Sequence, residues 1–412
     1  MRGALPRRTS RDIRSDSMVD VLHAVLSAGE TTRNEIAQRT GLSPATVVTI
    51  AGALIERGII VETKTSAGQV GRPTAVLAID ADRGRVIGLD VAETYVRGVM
   101  FDATLNPLAQ IERAHDEHLL DPDSIVEAIG LVLDDLLAQE GVSRDGILGV
   151  GISLPGLIQE PAGVAVVVPN WEWRSVELDH LRERVGLPLV IDNPLKAMVA
   201  AELWLGRGRF ASSMTTVNLG TGVGAGIVLE GRVLRGSTNS AGEWGHSLLQ
   251  LDGRLCRCGR RGCVEAYIGA PGIQQTLREL DPEHPLADVE MQRDFIMALA
   301  TAAADPEQDA AVRETVARTA YYLGSALADL VAIVNPEIIT LTGWTTWALG
   351  DLLLPPAAER MREQSPGRAG TALELEVSTV RGNPVASGIA MIALERSLVD
   401  AGLLTSRIPV AL

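Results

Sequence analysis

Two periodicities meet near residue 85 of this 412-residue chain, and that junction limits the fold more than any other feature. Before it, apolar residues recur at the spacing of short helices. From Val86 onward, short β-rich runs alternate with helical runs. One core does not serve both patterns at this length, so a small helical unit followed by an α/β body of more than one unit is expected.

In the first stretch Val21, Leu22, Val25 and Leu26 mark a helix over Met18–Leu26, closed by Gly29. Thr32-Arg33-Asn34-Glu35 has the form of a capping box and opens a second helix that runs to Thr40. Gly41 supplies a left-handed stop, and Ser43-Pro44 restarts the chain as a third helix with a cap residue and a first-turn proline. On that helix Val47, Ile50, Ala51, Leu54 and Ile55 form the inward stripe, which leaves Ser43, Ala45, Thr46 and Thr49 facing out. Small hydroxyl and methyl groups of this kind suit base edges and thymine methyls in a major groove.

Ile59–Thr63 and Ala75–Ile79 read as strands on either side of the Gly-rich loop Lys64–Pro73, a wing whose Arg72 is placed to enter a minor groove or to touch phosphate. A helical hairpin built for protein contacts would share the helices, but not the capping box, turn and wing in this order. Residues 1–80 are therefore read as a winged helix-turn-helix for operator DNA.

Charge supports that division. The chain carries a formal −15, yet residues 1–80 hold ten Lys and Arg against eight Asp and Glu, while the rest holds 27 against 44. Only the N-terminal segment is suited to phosphates. No apolar run approaches the roughly 18 residues that span a bilayer, and the Arg-rich start lacks a signal-peptide core, so no membrane partner and a cytoplasmic location are expected.

Beyond Val86, strand runs at Val86–Val91, Tyr95–Phe101 and Ile147–Ser153 surround a helical run near Ile125–Leu137. A second set starts at Met214–Leu219 and Gly224–Leu229, again around a Gly-rich turn, and the repetition predicts two related lobes. Cys256, Cys258 and Cys263 fall within eight residues, with His246 ten residues ahead. Three thiolates and an imidazole match the closed tetrahedral set of a structural zinc, leaving no open position to activate water.

Gly242-Glu243-Trp244-Gly245-His246 and Cys256-Arg257-Cys258-Gly259-Arg260-Arg261-Gly262-Cys263-Val264-Glu265 resemble the signature of the ROK family of repressors, open reading frames and sugar kinases. Leu154-Pro155-Gly156, Val168-Pro169-Asn170, the Gly220–Gly226 loop and Val334-Asn335-Pro336 extend the likeness, which covers about residues 85–400. The resemblance implies a two-lobed, actin-like ATPase (ribonuclease H-like) body behind the winged helix-turn-helix, with a sugar held between the lobes by Asn170, Asn193, Glu243, His246 and Glu265. It divides the chain into 1–80, an N-terminal lobe over 81–195 completed by a helix at about 385–400, and a C-terminal lobe over 196–384 that carries the zinc site.

Against the family's kinases, Ile191-Asp192-Asn193-Pro194-Leu195-Lys196 places Pro194 where the catalytic Asp belongs, and proline cannot accept a proton. Asp192 is two residues away and is expected to aim elsewhere. The first phosphate loop reads Asp90-Val91-Ala92-Glu93-Thr94, and the adenosine-side turn reads Leu341-Thr342-Gly343. Lys196 is read as a solvated cation at a helix start. The expected protein is a sugar-responsive repressor without kinase activity, acting as a homodimer or homotetramer. The alternatives are an active sugar kinase with a fused DNA-binding domain and a ligand-binding adaptor that has lost both functions.

Overall fold

The computed structural model describes residues 10–66, 74–114, 121–159, 165–168, 173–177, 179–305 and 309–404. Its N-terminal helices start and stop on local chemistry. Helix α1 (Ser10–Ala28) is longer than its apolar stripe suggested, and β1 (Thr31–Thr32) leads into α2 (Arg33–Thr40). The capping box is formed: Thr32 Oγ1 accepts from the Glu35 amide, and Glu35 Oε2 accepts from the Thr32 amide. Gly41 ends α2 at φ +69°, and Ser43 caps α3 (Pro44–Glu56) by accepting from the Thr46 amide at 3.1 Å. Strands β2 (Ile60–Ser66) and β3 (Thr74–Ile79) join β1 in the sheet order β1-β3-β2, which is the frame of a wing. The tip of that wing lies outside the described residues.

The body holds two sheets of the same plan. In the first, β4 (Arg85–Val91), β5 (Tyr95–Asp102) and β6 (Pro107–Ala114) form an antiparallel meander. After α4 (Pro122–Glu140), β7 (Ile147–Ser153) lies parallel to β4. A small sheet of β8 (Leu157–Gln159), β9 (Ala165–Val168) and β10 (Trp173–Glu177) then precedes α5 (Asp179–Val185). Strand β11 (Leu189–Asp192) completes the order β11-β7-β4-β5-β6, and α6 (Pro194–Leu205) follows.

In the second, β12 (Met214–Leu219), β13 (Val223–Leu229) and β14 (Arg232–Val233) repeat the meander. The helices α7 (Glu265–Ile268), α8 (Ala270–Leu280), α9 (Gln292–Ala303) and α10 (Ala310–Val334) come next. Strand β15 (Ile338–Thr342), α11 (Trp344–Gln364), α12 (Ala369–Ala372) and β16 (Glu374–Val377) complete the order β14-β13-β12-β15-β16. Each sheet has its own apolar core, around Ile87, Leu133 and Ile152 in one and Val217, Phe295 and Leu327 in the other.

The chain returns to the first sheet as α13 (Pro384–Asp400). Two units result: the described residues up to Leu205 with those from Arg381 onward, and Gly206–Val380. The division lies ten residues beyond the 195/196 boundary read from sequence, because α6 stays packed against α13. The winged segment is also counted with the first unit, through contacts taken up below.

Helix α13 lies unusually close to its supports. A Cβ on Gly88 of β4 would stand 2.0 Å from the Ala386 carbonyl oxygen, and one on Gly151 of β7 would stand 2.2 Å from that of Ile389. Glycine at these positions lets the helix backbone rest directly on the sheet. The same holds between helices, where a Cβ on Gly388 would come 1.7 Å from the Ala197 oxygen of α6.

Candidate functional site

The second unit brings His246, Cys256, Cys258 and Cys263 together, their ligand atoms all within 4.8 Å of one another. Cys256 Sγ lies 3.8 Å from His246 Nδ1, and Cys258 Sγ lies 3.7 Å from Cys263 Sγ. A tetrahedron with zinc–sulfur bonds of about 2.3 Å has edges of about 3.8 Å, so these donors fit zinc in type, number and spacing. The loop closes through amide bonds from Cys256 to the Arg260 oxygen and from Gly259 to the Cys256 oxygen. Two glycines make it tight. Gly259 has φ +86°, and Gly262, at φ +75°, sits where a Cβ would meet the Gln250 oxygen at 1.8 Å. Burial pushes the Cys256 thiol up to about 12, a condition that a dication beside the sulfur would reverse.

Histidine 246 ends a short turn, Trp244–His246, that is pressed onto β13. A Cβ on Gly245 would stand 1.9 Å from the Val223 oxygen, and the Ala225 amide donates to the Gly242 oxygen. The ring turns Nδ1 toward the thiols. Glu265 opens α7 and is buried. Its Oε2 accepts from the Val223 amide at 3.0 Å, so one carboxylate oxygen ties the cysteine loop to the Gly-rich turn after β12. Sequence reasoning saw Glu265 as a sugar contact and missed this bracing role, which depends on an amide 42 residues away. Glu243 stands half-buried just ahead of the turn.

The Gly-rich turn is itself covered. A Cβ on Gly220 would lie 3.0 Å from Trp344 Nε1, and Gly343, at φ +93°, is pressed against the Leu219 oxygen. The turn that resembles a phosphate cradle therefore has an indole against its first glycine.

In the first unit, Asn193 is buried and caps α6, its Oδ1 accepting from the Lys196 amide at 3.0 Å. Pro194 takes the first helical position, where a missing N–H costs nothing. Asp192 is turned back to accept from the Asn193 amide at 2.8 Å. Lys196 corrects the reading of a solvated cation. It is 1% exposed, because α6 buries nearly every side chain of its first three turns. Asp90 is also closed in, accepting from Asn383 Nδ2 at 2.8 Å and from the Tyr95 hydroxyl at 3.1 Å. Burial raises its carboxyl above the ordinary range, while those two bonds lower it. Asn170 lies outside the described residues.

On α3, Ser43, Ala45 and Thr49 are exposed and Thr46 is half-buried. Thr49 Oγ1 donates back to the Ala45 oxygen at 2.9 Å, a bond that keeps its hydroxyl on the helix. Val48, overlooked in the sequence reading, is 55% exposed. Its spacing three residues after Ala45 and four before the exposed Gly52 was the available signal. Arg72 lies outside the described residues.

A family model described as the ROK family matches residues 86–393, and one described as winged helix-turn-helix DNA-binding matches residues 14–61. The chain is 30% identical over 343 residues to a putative xylose repressor of Caldicellulosiruptor sp. (strain Rt8B.4), covering 81% of this chain and 84% of that protein. It is 33% identical to a glucokinase of Halalkalibacterium halodurans over 62% of this chain and 79% of the enzyme. Among solved structures, a ROK family transcriptional regulator, a homologue of the Escherichia coli MLC protein, superposes with a TM-score of 0.74. The identity there is 25%, over 95% of this chain and 99% of the other.

Proposed function

The chain belongs to the ROK family, and from that premise we propose that it is a sugar-responsive transcriptional repressor whose winged helix-turn-helix holds operator DNA and whose kinase-like body binds the sugar without phosphorylating it. One observation carries the reading. The likeness to the regulator structure runs over 95% of the chain, more than the body at residues 86–393 supplies. The glucokinase likeness covers 62%.

In this reading His246, Cys256, Cys258 and Cys263 hold a structural zinc that fixes Glu243 and Glu265 as hydroxyl partners for the sugar; Asn170 and Asn193 are proposed sugar contacts as well. Carboxylates, amides and the outer imidazole nitrogen suit a polyhydroxy ligand. The names of the relatives put D-xylose and D-glucose first among candidates. A homodimer or homotetramer follows from operator geometry, since one short helix reads too few bases for useful selectivity.

Loss of kinase chemistry is supported by three features: Pro194 in place of a carboxylate, Asp90 engaged by Asn383 and Tyr95, and Trp344 against Gly220. Mg-ATP with glucose is expected to give no sugar phosphate in a coupled assay. Pro194→Asp is expected to remain inactive because the other two obstacles persist; phosphate transfer in either protein would restore the kinase alternative.

Ser43, Ala45, Thr46 and Thr49 line the helix face presented to DNA, with Val48 added and Arg72 on the wing. Val48→Glu would set a carboxylate against a phosphate-flanked groove and should weaken operator binding by about 1–3 kcal/mol or more, without changing the melting temperature or sugar affinity. Equal binding by wild type and variant in a titration would move the interface elsewhere.

The direct test is fluorescence anisotropy of zinc-loaded protein on duplex DNA from upstream of its own gene, against random DNA, with a panel of sugars. Salt-sensitive, sequence-selective binding that one sugar shifts is the expected result. No selectivity on that or neighbouring intergenic DNA, with or without sugar, would favour the adaptor alternative.

A further inference from the structure

Two side chains of the winged segment end on helices of the α/β part of the same unit, and both end on the same kind of group. His23, on α1, has Nε2 2.9 Å from the Leu203 oxygen, and its ring meets that of Trp204 edge-on at 4.9 Å between centroids. A carbonyl only accepts, so Nε2 carries the hydrogen. Arg57, which caps the C-terminal end of α3, donates from Nη1 to the Ala401 oxygen at 3.1 Å. Leu203 lies in the last turn of α6, and Ala401 is the cap residue of α13. Carbonyls there have no partner within their helix and carry its negative end, so an N–H donor, and a cation above all, is favoured.

The opposite ends of the same two helices lie at the carboxyl edge of the sheet, the edge where α/β sheets take ligands. Asn193 caps α6 directly after β11, and Asn383 caps α13 while holding Asp90 at the end of β4. Between those ends the helices touch backbone to backbone at Gly388 and Ala197, and α13 rests on Gly88 and Gly151. Packing this close resists sliding of one helix past the other, which favours transmission of a displacement from one end to the other. At about 1.5 Å per residue, α6 spans about 18 Å and α13 about 25 Å. The recognition helix is held at its base as well, since Arg83 donates from Nη1 to the Arg57 and Gly58 oxygens.

We infer that α6 and α13 form one rigid pair that carries the effector signal from Asn193 and Asn383 to the DNA-binding segment, and that His23 and Arg57 are the joints through which the pair holds α1 and α3. This rests on the proposed sugar-responsive repressor function. It adds two positioning residues that touch neither sugar nor DNA in that reading. Removing both joints should leave each binding event intact and break the linkage between them.

The test uses the full-length, zinc-loaded protein, D-xylose and D-glucose as effectors, and the upstream duplex as probe. Calorimetry gives sugar affinity, anisotropy gives operator affinity with and without sugar, and amide exchange over residues 18–26 reports on α1. In the wild type, the better sugar should change operator affinity by about tenfold and alter exchange in α1. In the His23→Ala, Arg57→Ala double variant, sugar affinity and sugar-free operator affinity should stay within about threefold of wild type, with the sugar-induced change falling to less than about twofold. His23→Gln, which keeps a donor for Leu203, should retain most of the response and controls for a folding defect. A double variant that responds like the wild type overturns the joint alone. A wild type that responds to neither sugar, in DNA affinity or in exchange, overturns the joint for these effectors and counts against the repressor reading as well. A wild type whose exchange responds without any DNA effect, and whose double variant does not, keeps the joint while the repressor reading falls.

Discussion

Cys263→Ser is expected to strip the protein of zinc and, with it, of sugar binding. Cys263 is buried, its sulfur lies 3.7 Å from Cys258 Sγ, and its carbonyl receives the Ala266 amide at the head of the helix that carries Glu265. A serine hydroxyl is a poor ligand for zinc, and three remaining donors would not close the site. The free energy of a structural zinc reaches about 10–16 kcal/mol in small peptides, and in the proposed reading it would hold a loop whose exposed leucines, Leu248, Leu251 and Leu255, give it little core of its own. Metal analysis should fall from one zinc per chain to near zero, and sugar affinity by at least about tenfold. The second unit should keep its α-helical signal, because its core around Phe295 and Leu327 does not include the loop's tip. Chelation of the wild type should reproduce both losses, and re-addition of zinc should reverse them. Full sugar affinity in a zinc-free protein would separate metal from ligand and undo the scaffold role assigned to it.

Gly388→Ala is expected to be the most destabilising single methyl in the first unit. The new Cβ would stand 1.7 Å from a backbone oxygen, that of Ala197, and backbone cannot rotate away as a side-chain tip would. Helices α6 and α13 would have to separate, and α13 cannot retreat because Ala386 and Ile389 already rest on Gly88 and Gly151. Overpacking of this kind costs typically about 1–3 kcal/mol and more where relaxation is blocked, so the loss should exceed about 3 kcal/mol. The readout is a thermal or urea melt. Gly52→Ala is the control: it adds the same methyl on exposed α3, where nothing lies within 4 Å, and should be neutral or slightly stabilising. Equal melting behaviour in the two variants would mean that α6 and α13 are not in backbone contact.

Much of the architecture was legible because its signals are local. The capping box, Gly41 and Ser43-Pro44 each act over four residues or fewer, and they placed α2 and α3 within a residue or two of their observed ends. The two-lobe expectation rested on repeated strand runs, and the identical strand orders of the two sheets agree with it. The His/Cys cluster was legible for the same reason, since its four side chains lie within 18 residues and its glycines are spaced for tight turns. Lys196 went the other way. A lysine at a helix start is solvated unless something covers it, and the burial of this one comes from packing that no local pattern announces.

By itself, then, the amino-acid sequence determined the order of units, the helix-turn-helix and the grouping of His246 with three cysteines, because each is set by chemistry among near neighbours. Only the tertiary structure decided that Asp90 is closed off by Asn383, that Glu265 braces the Gly-rich turn, that Trp344 lies against Gly220, and that His23 and Arg57 hold the ends of α6 and α13. These contacts join residues from 42 to 344 positions apart, apart from the bond of Tyr95 to Asp90 within its own hairpin. Hydrogen bonds and close backbone approaches of that range depend on where whole helices come to rest, and no pattern along the chain encodes that position.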